Sequence, residues 1–210
     1  MARTLDIRKT PVSPQLPHQE AVRTRILDQA AHLFLTIGYA ETTVRRMAGA
    51  VGMKAASLYH HFGSKDEVFE AILTRGIEVM VESFDIARSI SKGLNAKEQL
   101  RYHIRAHLGA LFEYGPYTAV HVSSFHFAPP IVKQQIVPIR DGYEALWTSL
   151  LNDLDAKHQM SIPTSVALHR LILFGAMNST IEWFDPNGDY SLDSLANAIT
   201  DQFWEGVSPK

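Results

Sequence analysis

The run Lys54-Ala55-Ala56-Ser57-Leu58-Tyr59-His60-His61 gathers residues suited to hydrogen bonding with a polyanion rather than to bond breaking. A lysine reaches the O6 and N7 atoms of guanine, a serine hydroxyl donates or accepts, and alanine methyls pack on thymine methyls. Small side chains at Ala55 and Ala56 let a helix backbone come close to base edges. Tyr59, His60 and His61 suit phosphate or sugar, and Thr43, Arg45 and Lys65 add donors and charge on either side. A solvated helical hairpin carries the same residue types, so the pattern alone leaves both readings open.

Other groupings carry weaker chemistry. His103 and His107 lie four apart, a spacing at which two imidazoles can ligate zinc, with His121 and His126 further on. No third ligand with a suitably spaced acid accompanies them, and ten histidines produce such a pair by chance. A helical metal-dependent enzyme using His103 and His107 is nevertheless the alternative function class. Against it, the chain has no Glu-x-x-His pair of the di-iron type, no G-x-S-x-G and no phosphate-cradling glycine loop. No cofactor is therefore expected. Arg170 and Asn178 fall two turns apart on one helical face with Phe174 between them, and a buried arginine needs either a bound anion or an internal carboxylate. Phe112, Tyr114, Tyr117, Phe125 and Phe127 suit either an apolar ligand pocket or plain core.

These residues need helices to position them. Val22, Ile26, Ala30, Leu33, Phe34 and Ile37 form one helical stripe that Gly38 ends at a C′ position. Thr42 or Thr43 caps the next helix, whose apolar positions are Val44, Met47, Ala48 and Val51. Gly52 breaks it, and a second short helix begins near Lys54 with Leu58 and Phe62 on its inner face. Two short helices joined by a glycine turn predict a helix-turn-helix, whose second helix is shaped for a DNA major groove. Phe34, Val44, Met47, Leu58 and Phe62 are its expected core.

Ser64 and Glu67 form a capping box that starts a long helix, running through Phe69, Ile72, Leu73, Met80 and Phe84 to about Ile90. Gly76 sits inside that stripe at a propensity cost of about 1 kcal/mol. Further helices are predicted at 96–113, 116–126, 129–155, 164–184 and 191–206. Turn chemistry separates them at Gly115-Pro116, Pro129-Pro130, Ser161-Ile162-Pro163 and Asp185-Pro186-Asn187-Gly188. Pro138 is expected to kink the 129–155 segment or divide it near Val137. No alternating β pattern survives, so the fold class is all-α. Residues 164–184 are apolar all round, which predicts burial on all sides, and Leu192, Leu195, Ala196, Ile199 and Phe203 make a stripe in 191–206. A C2 dimer would bury both surfaces, and a monomer with an unusually thick core is the alternative.

Composition narrows the class. The 210 residues are 46% hydrophobic and include no cysteine, which excludes a disulfide framework and thiolate sites. Arg3, Arg8 and Lys9 precede no apolar segment of the signal-peptide kind, and the longest apolar run, Leu171 to Met177, is far short of a membrane span. A cytoplasmic protein without membrane contact is expected. Residues 1–65 carry nine Lys and Arg against four Asp and Glu, while the remainder carries eleven against eighteen. A basic front end on an acidic body suggests that only the front meets phosphate. Residues 1–20, with Pro11, Pro14 and Pro17 and no hydrophobic period, are expected to form a flexible arm.

Residues 22–73 resemble the DNA-binding domain of TetR/AcrR-type transcriptional regulators. The resemblance lies in Ile37-Gly38-Tyr39, Thr42-Thr43-Val44-Arg45, Ala48 through Gly52, Leu58-Tyr59-His60-His61-Phe62 and Ser64-Lys65-Asp66-Glu67. Lys54 replaces the small hydroxyl residue usual at the start of the recognition helix, and Arg46 stands where an acidic residue is common. The resemblance implies about nine helices. It also implies a helix-turn-helix domain over 21–66, a ligand-sensing and dimerisation domain over 67–210, and a homodimer joined through the last two helices. The expected partners are a near-palindromic double-stranded DNA operator and a small hydrophobic effector that releases a repressor from it. Arg170…Gly175…Asn178…Trp183-Phe184…Pro186…Gly188 resembles a subgroup sensing acyl-CoA thioesters, which implies effector contacts from Arg170, Phe174, Asn178, Trp183 and Phe125.

Overall fold

The computed structural model describes residues 18–156 and 165–207, and every regular element among them is helical. The α-helices are α1 (His18–Glu41), α2 (Val44–Ala50), α3 (Ala55–Leu58), α4 (Lys65–Ile90), α5 (Ala96–Phe112), α6 (Tyr117–Ser124), α7 (Pro130–Ala156), α8 (Val166–Asn178) and α9 (Leu192–Val207). Short 3-10 turns follow α6 at Phe125–Phe127 and α8 at Ser179–Glu182. Residues 1–17 of the expected arm and the expected break at Ser161–Pro163 lie outside the described residues, whereas residues 18–20, also expected in the arm, are helical and open α1. No helix among the described residues is long and apolar enough to cross a membrane.

Local chemistry sets the front three helices. Gly38 takes φ 78°, which breaks α1 one turn before its end, and the Thr42 hydroxyl donates to the Gly38 carbonyl at 2.8 Å. Thr43 caps α2, its hydroxyl accepting from the Arg46 N–H at 3.2 Å. Gly52, at φ 72°, lets the Met53 N–H return to the Ala48 carbonyl at 2.9 Å, which closes the end of α2. Of the expected core, Phe34, Met47, Leu58 and Phe62 are buried and Val44 is half-buried against them.

α4 ties the front to the rear. The Ser64 hydroxyl accepts from the Glu67 N–H at 3.1 Å, while the Glu67 carboxylate accepts from the Gly63 N–H at 2.7 Å, one residue before the usual reach of a capping box. Twenty-six residues give α4 a length of about 39 Å. Val68, Phe69, Ile72, Ile77, Met80 and Phe84 are buried along α4 in one continuous core, and α5, α6 and α7 pack around α4. Gly76 has a reason the sequence hid: a Cβ there would lie 2.7 Å from the Tyr117 carbonyl oxygen, so glycine permits α6 to lie directly on α4. The Thr118 hydroxyl donates to the Gly76 carbonyl at 3.0 Å, and the Tyr117 hydroxyl donates to Asp28 of α1 at 2.5 Å. α6 is thus fastened to the front domain and to α4 together.

Two expectations need correction. Pro138 does not divide its segment: α7 is one helix of 27 residues, which absorbs a single missing N–H bond. The rod expected from Lys54 to His61 is shorter. Only Ala55–Leu58 is α-helical, and turn bonds from the His61 and Phe62 N–H groups to the Leu58 carbonyl carry the chain on, because Phe62 must turn into the core.

Candidate nucleic-acid interface

The residues singled out around α3 are each exposed or half-buried. Thr43 and Arg45 are exposed on α2, Lys54, Ala56 and His60 are exposed, and Ala55, Ser57 and His61 are half-buried. Tyr59 is exposed over half its surface. Lys54 holds extended backbone before α3, and its ammonium group, a donor only, cannot cap the helix N-terminus. Among the described residues no carboxylate pairs with Arg45, Arg46 or Lys54. Arginines elsewhere are neutralised, Arg75 by Glu78 and Glu82 and Arg105 by Glu113 and Asp193. Positive charge is therefore left without an ion-pair partner on α2 and just before α3.

Beside these residues are two arginines that the sequence did not single out, and the candidate Lys65. Arg23 of α1 donates to the His61 carbonyl and lies 4.0 Å over the Phe62 ring. Arg25 donates to the Val51 carbonyl at 2.9 Å, a cation at the end of α2 where the helix dipole is negative. Lys65 is half-buried: its ammonium donates to the Tyr39 carbonyl at 2.8 Å, rests 3.9 Å over the Tyr39 ring, and has its pKa lowered by burial. Tyr39 in turn donates to Asp66, and burial first and Asp66 second raise its pKa. The helix-turn-helix is clamped from within, with Lys65 braced at its edge. Basic residues two apart on α1 were the one available signal for Arg23 and Arg25.

The effector candidates divide. Phe174 and Asn178 join a buried cluster: the Phe174 ring stacks on His107 and Tyr143 with centroids 5.7 and 5.8 Å away, and Asn178 Oδ1 lies 2.9 Å from His107 Nε2. Arg170 is apart from them, paired with Glu144 at 2.7 Å and donating to Thr148 at 2.8 Å. Trp183 is exposed beside α9. Phe125 stacks on His121, 5.6 Å away, with Arg140 over its outer face. The five aromatics expected as a possible pocket do not meet: Tyr117 is buried against α4 and α1, Phe112 packs on Phe184, and Phe127 is exposed.

His103 and His107 do not form a metal pair. His103 Nδ1 is 2.7 Å from the Gln99 carbonyl and His107 Nδ1 is 2.8 Å from the Tyr143 hydroxyl. No group of three or more His, Cys, Asp or Glu side chains among the described residues could hold a metal ion. Burial holds the pKa of His107 down to about 4, and burial together with Arg140 does the same for His121. The unfolded chain takes up protons near the ordinary value of 6.5 that the folded chain refuses, so stability is full above about pH 6.5 and falls as pH drops toward 4. Melting temperatures should decline steadily over that interval, and Phe in place of His121 should flatten the decline. A pH-independent melting temperature would contradict buried neutral imidazoles.

Two family models match this chain. One described as "Bacterial regulatory proteins, tetR family" covers residues 26–72, and one described as "Tetracyclin repressor-like, C-terminal domain" covers residues 93–207. The HTH-type transcriptional repressor KstR2 of Rhodococcus jostii is 24% identical over 189 residues, 89% of this chain and 91% of the relative. Among solved structures, the TetR family transcriptional regulator PfmR from Thermus thermophilus superposes with a TM-score of 0.75 at 29% identity, covering 86% of this chain and 97% of its own. AibR, solved in complex with isovaleryl coenzyme A and operator DNA, gives a TM-score of 0.77 at 19% identity over 87% of this chain and 97% of that one.

Proposed function

Because the chain belongs to the tetR family of bacterial regulatory proteins, a class of ligand-responsive DNA-binding regulators, we propose that it is a repressor released from a palindromic operator by a small hydrophobic or acyl-CoA-type effector. The observation that carries the reading is the uncompensated basic surface of Arg45, Arg46 and Lys54 around an exposed α3. In this reading Lys54, Ala55, Ala56 and Ser57 meet base edges, while Thr43, Arg45, Tyr59, His60 and His61 meet the backbone, with Lys65 behind them. Residues 21–66 form the DNA-binding domain and 67–210 the sensing and dimerisation domain. The family's members are regulators rather than catalysts, and nothing at His103 and His107 favours a metal enzyme.

Support for a homodimer comes from the outer face of α8, where Leu171 and Ile172 are each 56% exposed in the single chain and Trp183 beyond it is 62% exposed. The single chain does not bury 164–184 on all sides as expected, and a second copy would cover the exposed face. An effector between the rear helices favours a different tilt of α4, which alters the separation of the two α3 helices. DNA must then weaken effector binding by the same factor. The bound coenzyme A thioester of AibR supports an acyl-CoA-type effector here.

Selection of bound duplexes from a random pool, followed by titration of the selected operator, tests the reading. Tyr59→Ala should weaken binding to every sequence, whereas Lys54→Ala or Ser57→Ala should change which base is preferred at particular positions, by about 1–3 kcal/mol each. Recovery of no preferred sequence defeats the proposal. Equal loss on all operator variants would remove Lys54 from base reading.

A further inference from the structure

The described arginines divide by their place in the chain. Arg75, Arg88, Arg101, Arg105, Arg140 and Arg170, all behind the helix-turn-helix, each lie within 3.4 Å of a carboxylate. Arg23, Arg25, Arg45 and Arg46, all ahead of α3, pair with none. The front does not lack acids. Asp28 accepts from the Tyr117 hydroxyl at 2.5 Å, Asp66 from the Tyr39 hydroxyl, and Glu67 from the Gly63 N–H at 2.7 Å. Those carboxylates are taken by neutral donors, which leaves the front arginines without counter-charge.

Arg45 and Arg46 already belong to the proposed operator surface. The two arginines of α1 straddle its inner stripe of Val22, Ile26 and Ala30, and each reaches a backbone carbonyl at one end of α3. Arg23 is half-buried, lies on the Phe62 ring and donates to the His61 carbonyl, past the end of α3. Arg25 is exposed, and its one hydrogen bond goes to the Val51 carbonyl, ahead of the Lys54 that opens α3. A recognition helix meets base edges with its N-terminal residues, so Arg25 stands at the end that enters the groove and Arg23 at the end that does not. A guanidinium carries five N–H donors in one plane. The Val51 bond uses one and fixes that plane, while the rest have no partner in the chain. Such a fork suits the paired oxygens of a phosphate.

We propose that Arg25 is a further operator contact, gripping a backbone phosphate beside the turn with its guanidinium aimed by the Val51 carbonyl. This rests on the DNA-binding reading above and brings α1 into the interface beside α2 and α3. Arg23 is a positioning residue that holds His61 and Phe62 from the opposite side. A phosphate contact adds affinity and carries no sequence information.

The test titrates the full chain with the selected operator from about 50 to 200 mM salt. Arg25→Gln removes the charge and keeps an amide donor for the Val51 carbonyl. It should flatten the slope of log affinity against log salt by about 0.9 per subunit. Affinity at low salt should fall about tenfold on every operator variant, with base preferences and melting temperature unchanged. Arg25→Lys should restore the slope, and Arg88→Gln, which removes a rear charge paired with Asp85, should leave it at the parental value. Lost affinity at the parental slope, an altered base preference, or full affinity in Arg25→Gln each overturn the inference. Duplexes carrying one uncharged methylphosphonate at each backbone position in turn give a second measure. At one phosphate per half-site the parent should lose affinity and Arg25→Gln should lose nothing further; absence of such a phosphate also overturns the inference. Each protein is there compared with itself on two duplexes, so the result stands even where the variant folds incompletely. Failure to select any operator would defeat the repressor reading, and the salt slope on random duplex would still decide this one.

Discussion

Gly76→Ala should lower the melting temperature by roughly 4–8 °C, as expected for about 2 kcal/mol in a chain of this size. Helix propensity argues the other way, since alanine is favoured over glycine inside a helix by about 1 kcal/mol. Packing decides the sign. The added Cβ would sit 2.7 Å from the Tyr117 carbonyl oxygen and 3.0 Å from the Tyr117 carbonyl carbon and His121 Cβ. Two of those atoms are α6 backbone, which no rotamer change can move, and overpacking of this kind costs about 1–3 kcal/mol or more. Relief requires α6 to lift from α4, which strains the Thr118 bond to the Gly76 carbonyl and the Tyr117 bond to Asp28. Operator affinity should therefore fall along with stability. Gly142 supplies the control: it lies inside α7 with nothing within 4 Å of a built Cβ, so Gly142→Ala should raise the melting temperature. Calorimetric scans of the two variants check the pair, and a Gly76→Ala protein as stable as the parent would mean that α6 does not press on α4.

Ile172→Asp should convert a dimer to monomers and weaken operator binding by about a hundredfold or more, because two linked half-site contacts become independent ones. Ile172 is 56% exposed on the single chain, so an aspartate there is solvated and leaves the subunit's own core untouched. Across a two-fold interface the same change buries two unpaired carboxylates against each other. Sedimentation and operator titration measure the two effects, with circular dichroism reporting the helices. A monomeric parent protein, or a variant that remains dimeric, would eliminate α8 as the interface.

Local patterns were readable where the physics is local. Apolar spacing together with Gly115-Pro116, Pro129-Pro130 and Asp185-Pro186 placed α5, α7 and α9 within a residue or two of Ala96–Phe112, Pro130–Ala156 and Leu192–Val207. A cap at Thr42 or Thr43 and one at Ser64 were visible because a cap's partner lies three residues on, and the structure chooses Thr43. The clamps behind α3 were not. Arg23 meets His61 across 38 residues and Tyr117 meets Asp28 across 89, and nothing in either stretch announces the other. Gly76 read as a flaw because propensity concerns one helix and its purpose lies in a second. Arg170 showed the ambiguity of a half-buried cation: an anion and a carboxylate satisfy it equally on paper, and here Glu144 fills the place. For α3 the composition told which side chains face out, but the demand of Phe62 for the core set how far the helix runs.

A reading element of only four helical residues, Ala55–Leu58, has an informational consequence. One turn touches just a few rungs of the duplex, and a motif that short recurs thousands of times along a chromosome. Its address becomes unique only when a second copy, held at a set stride, spells the other half of the word. Under the proposed function, selectivity for a gene would reside in the ruler between two such turns, and a metabolite that altered the ruler would erase the address without touching a single letter.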